Sequence, residues 1–307
     1  MTAQIRRWKI PLWKNPVIVK EFQTRMRGNR AFLLFIAHLL ILGIVIALFY
    51  LVFKSALSST NALAERRVFG KAIFGMIVWM EMVTVSFIAP ALTSGAISSE
   101  RERQTFDLLR VTLLPARSLV VGKYLSGMVF ILLLLFTSIP LQSPAFLIGG
   151  VLLEEIVIAS LILLVTAVAF CAIGIFFSSF FPRTLISTVL SYAIAIFLVF
   201  GVPMIFMIVL MLFGALLGDT YDSINPIMKT LLIFSAWLLI SATPLPAIIA
   251  SEAALLEQQN TLFANIPIAE GVQVTLPSPW IPYVLIYLSL SVVLIYLSIL
   301  LVKKLDQ

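Results

Sequence analysis

The sequence predicts an all-α integral membrane protein, and three observations lead to this fold class. Of its 307 residues, 61% are hydrophobic and only 11% are charged, whereas a soluble domain carries roughly 25% charged residues. Several apolar stretches are as long as a membrane-spanning helix. Eight of the 21 Lys and Arg residues precede Ala31, and a basic segment directly before an apolar span is a signal for membrane orientation.

The apolar stretches define the predicted spans. A helix that crosses the hydrocarbon core needs about 20 largely apolar residues. Six stretches meet this requirement: 31–53, 72–97, 119–140, 156–181, 184–217 and 280–302. The fifth is unusually long and is interrupted by Gly201-Val202-Pro203. We therefore expect a single transmembrane domain over residues 1–307 with six spans.

A further apolar stretch, 227–250, decides between six and seven spans, because Thr243-Pro244-Leu245-Pro246 interrupts its end. Six spans place Lys303 and Lys304 on the same, cytoplasmic side as the basic arm 1–30, as the positive-inside rule requires. We therefore predict that 227–250 is a re-entrant or interfacial element before the last span. Four basic residues in a loop predicted to lie outside oppose this orientation: Lys54, Arg66, Arg67 and Lys71.

Within the cytoplasmic arm 1–30, the pair Asn15-Pro16 is typical of a helix start, and Gly28 is typical of a helix end. Ile18 and Phe22 are four residues apart and share one helix face, while Lys20 and Arg27 lie toward other faces. This pattern predicts an interfacial helix with an apolar side in lipid and basic residues near the headgroups. The alternative is a plain topology anchor.

The segment 98–117, between the second and third spans, is rich in charges of both signs. Ser99 and Glu102 fit a capping box, which predicts a helix from Glu100 to about Leu109. Charged and apolar side chains together suit docking of a helix into a protein groove. Phe106, Leu108 and Leu109 are apolar anchors that the groove of a partner could bury. The alternative is a solvated loop that only fixes topology.

This segment also carries a resemblance to a known family. Residues 95–109 and 111–117, followed by Gly122-Lys123, resemble the signature of ABC-2-type transporter permeases. The run Asn15-Pro16-Val17-Ile18-Val19-Lys20-Glu21-Phe22 is similar to the N-terminal connecting helix of that family. Leu113-Leu114-Pro115 departs from the family, which more often places Pro directly after Thr.

The resemblance implies an ATP-driven exporter. Segment 98–117 would be a cytoplasmic coupling helix bound by a separate ABC ATPase, which would hold ATP and Mg²⁺. In that complex Glu100, Arg101, Glu102 and Arg103 would make polar contacts, while Phe106 and Leu109 would pack. Two copies of this chain, or this chain and a sister permease, would form the pathway in the lipid of the cell membrane, with both termini in the cytoplasm.

No catalytic motif is visible in the sequence. It contains no Gly-x-x-x-x-Gly-Lys-[Ser/Thr] stretch for ATP and no His-Glu-x-x-His zinc motif, and His38 is its one histidine. Cys171 is its one cysteine, so we expect no disulfide and no metal cluster. The net charge of +7 is an orientation signal rather than a nucleic-acid signal. We expect a transport subunit that is no enzyme and needs no cofactor of its own.

Glu81 is an acid within the second predicted span, and a carboxylate at membrane depth is a candidate functional group. It is our candidate pathway residue; the alternative is a partnered or protonated acid in the bundle. Two other functions stay open. A transporter driven by an ion gradient needs an intramembrane relay, for which only Glu81 and His38 are available, and a membrane scaffold subunit would transport nothing. The sequence does not identify the substrate.

Overall fold

The computed structural model describes residues 16–27, 29–53, 62–105, 115–217, 226–258, 261–269 and 272–305. Its helices are α1 (Pro16–Met26), α2 (Asn29–Phe53), α3 (Ala62–Thr93), α4 (Ser98–Glu102), α5 (Ala116–Ile148), α6 (Leu153–Phe180), α7 (Thr184–Ile196), α8 (Val202–Leu217), α9 (Pro226–Ser241), α10 (Pro244–Gln258) and α11 (Trp280–Leu305). A π-helical turn, Phe197–Gly201, joins α7 to α8, and two strands, β1 (Phe263–Ala269) and β2 (Val272–Pro277), precede α11.

The predicted fold class is confirmed. Among the described residues, six helical segments are long and apolar enough to cross a membrane. They are Ala31–Val52, Arg67–Glu102, Ala116–Ile148, Leu153–Phe180, Thr184–Leu212 and Trp280–Lys304. The chain is therefore a multi-pass membrane protein built from helices.

Helix α6 forms the centre of the bundle and packs against α3, α5 and α11. About two thirds of the residues in its most apolar stretch are buried (67%), whereas only 11% are buried in the corresponding stretches of α2 and of the α7–α8 span. Ala167, Ala169 and Ala172 on α6 are fully buried, and such small side chains let neighbouring helix backbones approach closely in a membrane. The outer helices expose apolar side chains, as a lipid environment requires.

Proline does not end the third span, contrary to the predicted boundary at Pro140. Helix α5 runs from Ala116 to Ile148 with Pro140 and Pro144 inside it. Pro144 has no N–H for the carbonyl of Pro140, but the Ser143 hydroxyl donates to that oxygen at 2.7 Å. A side-chain hydroxyl thus replaces the missing backbone bond, which allows the helix to continue at membrane depth.

The fifth span also continues past its predicted interruption at Gly201-Val202-Pro203. The π turn Phe197–Gly201 ends two residues before Pro203. Such a turn locally widens the helix, which relieves the crowding of a proline ring against the carbonyl four residues earlier. A Cβ on Gly201 would meet the ring of Phe197, so this ring packs closely over the glycine.

The stretch 227–250 forms part of a bent helix pair. The segments Met228–Ser241 and Pro244–Leu255 meet at 116°. A proline disfavours helical geometry in the residue before it and suits the first position of a new helix, which explains the break before Pro244. The Tyr287 hydroxyl of α11 donates to the carbonyl of Ala242 at 3.0 Å and holds the bend against the last span. Whether the pair is re-entrant stays a prediction.

A β-hairpin follows this pair, and the sequence analysis did not anticipate it. Strands β1 and β2 are antiparallel, with Phe263 opposite Pro277 and Ile266 opposite Val274. The Trp237 indole of α9 donates to Pro277 O at 3.1 Å, so the hairpin packs on the bent pair. The alternation of Val272, Val274 and Leu276 in the sequence is the pattern of a strand.

A charged cluster joins α3, α6 and α10 near the N-terminal ends of α3 and α6. The Lys71 ammonium lies 3.0 Å from the Glu155 carboxylate and 3.5 Å from that of Glu252. Glu155 also accepts a hydrogen bond from the backbone N–H of Leu152 at 3.2 Å. We call Lys71, Glu155 and Glu252 the opposite cluster, because it lies at the end of α3 away from segment 94–105.

Candidate functional site

Helix α1 lies beside the first turns of α5 and ends beside α3. It begins at Pro16 and ends at Met26, in agreement with the boundaries predicted from Asn15-Pro16 and Gly28. Lys20 and Arg27 are exposed and Phe22 is half-buried, while the side chain of Ile18 is outside the described residues. The Arg25 guanidinium donates to the carbonyl of Leu92 at 2.8 Å and ties α1 to the end of α3.

The charged segment after α3 is shorter in its helical part than predicted. Helix α4 spans only Ser98–Glu102, and no side chain caps its first turn. Gln104 has a φ of 57°, a left-handed conformation that ends a helix. The predicted capping box between Ser99 and Glu102 is therefore wrong, and so is a continuous helix from Glu100 to Leu109.

Ser178, near the end of α6, holds the start of this segment. Its hydroxyl oxygen accepts hydrogen bonds from the backbone N–H groups of Ile97 and Ser98, at 2.8 and 3.0 Å. On the other side, the Ser187 hydroxyl of α7 donates to the carbonyl of Ser94 at 2.6 Å. Ser98, Ser178 and Ser187 are fully buried, so the backbone of the segment is fixed between α6 and α7.

Two charged side chains of α4 bind the ends of neighbouring helices. The Arg101 guanidinium donates to the carbonyl of Ser179 at 3.2 Å, in the last turn of α6. The Glu102 carboxylate accepts hydrogen bonds from the N–H and the hydroxyl of Thr184, at 3.1 and 2.6 Å. A cation at a helix C-terminus and an anion at an N-terminus both favour the helix dipole, so α4 stabilises α6 and α7 together.

Glu100 takes part in a second charged cluster. The Lys123 ammonium of α5 lies 2.7 Å from the Glu100 carboxylate and 3.1 Å from the Glu21 carboxylate of α1. The Lys123 side chain is only 5% exposed, and a buried ammonium requires charged or polar partners. We call Glu21, Glu100 and Lys123 the loop cluster, because it joins the charged segment to α1 and α5.

After α4 the chain turns back on itself, because the N–H of Thr105 donates to the carbonyl of Glu100 at 2.9 Å. Arg103, Gln104 and Thr105 are exposed, and Phe106 and Leu109 lie outside the described residues. Of the predicted docking residues, Glu100, Arg101 and Glu102 are therefore bound within the chain, whereas Arg103 is directed to solvent. Segment 94–105 therefore has a fixed base, held by side chains of α5, α6 and α7.

The sequence analysis did not assign the residues that hold this base. Lys123 was noted only within the Gly122-Lys123 pair, and Ser178, Thr184 and Ser187 were not singled out. A signal was available, because serines and threonines cluster where the fourth apolar stretch ends and the fifth begins. Hydroxyl groups at the junction of two spans are natural partners for the backbone of an adjacent loop.

Glu81 lies in the interior of α3, away from both charged clusters. Its side chain is almost fully buried, at 1% exposure. The Gln142 amide of α5 donates to one Glu81 carboxylate oxygen at 3.1 Å. The structure thus gives Glu81 a partner, and both side chains line a cavity between α3, α5 and α6.

Helices that span the membrane around a buried centre, with a polar segment fixed at one end, define a polytopic membrane protein. Comparison with known families agrees: a family model described as "ABC-2 family transporter protein" matches residues 16–304. The chain therefore belongs to the ABC-2 transporter family, and the resemblance noted in the sequence is confirmed. It is a membrane permease component of this transporter family. A search of curated proteins finds no match.

Proposed function

We propose that this chain is the permease subunit of an ATP-driven exporter and that segment 94–105 receives the movement of a separate cytoplasmic ATPase. The ATPase would bind ATP and Mg²⁺, and this chain would carry out no bond chemistry. Two copies of the chain, or the chain and a sister permease, would form the export pathway. Both termini would then lie in the cytoplasm.

The observation that carries this proposal is the fixed base of the segment. Glu100, Arg101 and Glu102 bind Lys123, Ser179 and Thr184 in that order. A force applied to α4 would therefore reach α5, α6 and α7 directly, and would reach α1 through the contact between Lys123 and Glu21. A coupling element requires such contacts, because a flexible loop would absorb the movement instead of passing it on.

The exposed part of the segment is the proposed docking surface. Arg103 is free to meet an acidic rim on the ATPase, and Phe106 and Leu109 follow as apolar anchors. Anchors surrounded by charged residues are typical of a helix or turn docked in a groove. Glu100, Arg101 and Glu102 would hold this surface in place through their contacts with α5, α6 and α7.

The test is co-purification with the ATPase subunit of the same transporter. We expect Arg103→Glu combined with Phe106→Ala to reduce the amount of co-eluting ATPase and to abolish any stimulation of its ATP turnover by the permease. Lys304→Glu is the matched control, because Lys304 is exposed near the end of α11 and is far along the chain from the segment. Unchanged co-elution of the double variant would refute the docking surface.

A further inference from the structure

The cavity beside Glu81 has a volume of ≈ 90 Å³, which is room for a small polar head group of about three water molecules. Its mouth is formed by Phe136, Ile139 and Leu164, which are 65%, 51% and 40% exposed on the apolar side of the bundle. The cavity therefore opens sideways, toward the hydrocarbon that surrounds the spans.

The floor of the cavity is polar and incompletely satisfied. Glu81 and Gln142 are 1% and 5% exposed, and one N–H of the Gln142 amide donates to Glu81. The Gln142 amide oxygen, Oε1, has no hydrogen-bond partner among the described residues. A buried acceptor without a donor is unfavourable, and a carboxylate in an apolar setting favours a cation beside it.

The depth of this site decides how a ligand reaches it. Glu81 lies ten residues after Lys71 on α3, which is about 15 Å along a helix. Lys71 and the end of α3 are about 30 Å apart by the same rise, close to the thickness of the hydrocarbon core. Glu81 is thus near the middle of the bilayer, so a ligand must enter through the lipid.

We propose that this cavity binds the head of a lipophilic primary ammonium, with the hydrocarbon tail lying against Phe136 and Ile139. The ammonium matches both features of the floor, because it carries a positive charge for Glu81 and N–H donors for Gln142 Oε1. A quaternary ammonium has the charge without the donors, and an alcohol has a donor without the charge. The site lies within the spans and does not depend on coupling to an ATPase.

The test uses the full chain in phosphatidylcholine nanodiscs and radiolabelled dodecylamine, with empty nanodiscs measuring its partition into lipid. We expect saturable binding that unlabelled dodecylamine displaces. Dodecyltrimethylammonium and dodecanol should displace the label at least about tenfold less well, since each lacks a strong polar contact. Absence of saturable binding, or equal displacement by the quaternary compound, would overturn the proposal without any variant being made.

Two variants add a structural control. Glu81→Gln keeps an acceptor for Gln142 and the size of the side chain but removes the charge, so affinity for dodecylamine should fall at least about tenfold. Glu154→Gln removes an exposed acid at the start of α6 and should leave affinity unchanged. Binding that survives Glu81→Gln at full strength contradicts the proposed site.

A final arm identifies the source of the ammonium. Nanodiscs that contain phosphatidylethanolamine compete with dodecylamine if the head group of an aminolipid occupies the cavity. If they do not compete, the ligand is a free lipophilic amine. Either result supports an ammonium site and assigns its occupant.

Discussion

The loop cluster and the opposite cluster share one arrangement at the two ends of the bundle, a lysine between two carboxylates from other segments. They differ in burial and in what they join. Lys123 is 5% exposed and links α4 and α1 to α5, whereas Lys71 is 23% exposed and links α3, α6 and α10. The first therefore fixes two short elements to the bundle, and the second reinforces helices that already pack together.

The two ends also differ in which groups make the close contacts. At the opposite end, a Cβ on Gly70 would meet the carbonyl oxygen of Gly149, and one on Gly150 would meet the backbone of Arg67. At the loop end, a Cβ on Gly174 would meet Thr93 and the backbone nitrogen of Ser94, and side-chain hydroxyl groups add hydrogen bonds to the backbone. Both ends are therefore closely packed, but only the loop end is held by side-chain hydroxyl groups as well.

The largest expected effect comes from removing the lysine of the loop cluster. Lys123→Ala leaves the carboxylates of Glu21 and Glu100 facing each other without a cation. We expect a loss of about 3 kcal/mol in the free energy of unfolding, measured by reversible denaturation in mixed micelles. Adding Glu100→Gln to this variant should recover part of the loss, since one of the two opposed charges is gone.

Lys71→Ala is the matched variant at the opposite end. It leaves the Glu155 carboxylate, which is 1% exposed, without its cation. Glu155 keeps the hydrogen bond from the Leu152 N–H, so we expect a somewhat smaller loss of about 2 kcal/mol. The same denaturation assay compares the two. A larger loss for Lys71→Ala than for Lys123→Ala would reverse the distinction drawn between the clusters.

A glycine substitution sharpens the comparison of backbone packing. Gly70→Ala should destabilise the protein by about 2 kcal/mol, because the new methyl group would push α3 away from the end of α5. Gly75→Ala on the same helix is the control, since no atom lies within 4 Å of its added Cβ. This control should be neutral or slightly stabilising, as alanine favours helix. Equal loss in both would show that helix flexibility, not close approach, matters.

The smallest expected effect concerns the contact between Glu102 and α7. Thr184→Val removes the hydroxyl donor and keeps the shape of the side chain and the backbone N–H. The segment should open more often, so trypsin should cleave after the exposed Arg103 faster than in the unchanged protein. Thr230→Val on α9 is not expected to change this rate. If Thr184→Val leaves cleavage unchanged, the backbone N–H alone is enough to hold Glu102.

Much of the fold followed from local patterns. Span-length apolar stretches predicted the six helical spans, Asn15-Pro16 predicted the start of α1, and the Pro244-Leu245-Pro246 run marked the bend after α9. The helix of the third span continues past residue 140, where the predicted span ended, and there the Ser143 hydroxyl donates to the carbonyl of Pro140. The hairpin β1–β2 was missed because two short strands carry a weak signal beside long apolar helices.

The candidate site was harder to predict because its contacts join distant parts of the chain. Spacing within a helix relates Glu100 to residues three and four positions away, but its partner in the structure is Lys123. Glu102 was assigned to a cap in its own helix and instead binds Thr184, which is 82 residues away in sequence. The mixture of positive and negative residues therefore identified the segment from sequence. Its partners became visible only in the structure, because they come from other helices that pack against it.

The π turn at Phe197–Gly201 has a consequence for how this span tolerates insertion and deletion. A π turn holds one residue more than an α-helical turn, so everything after Gly201 is rotated by about 100° relative to an unbroken α-helix. Loss of one residue there would restore regular winding and rotate α8 by the same angle. Met204, Val209 and Leu210 lie on different sides of α8 and are all exposed, so every side of its described part already suits lipid and the rotation should be tolerated.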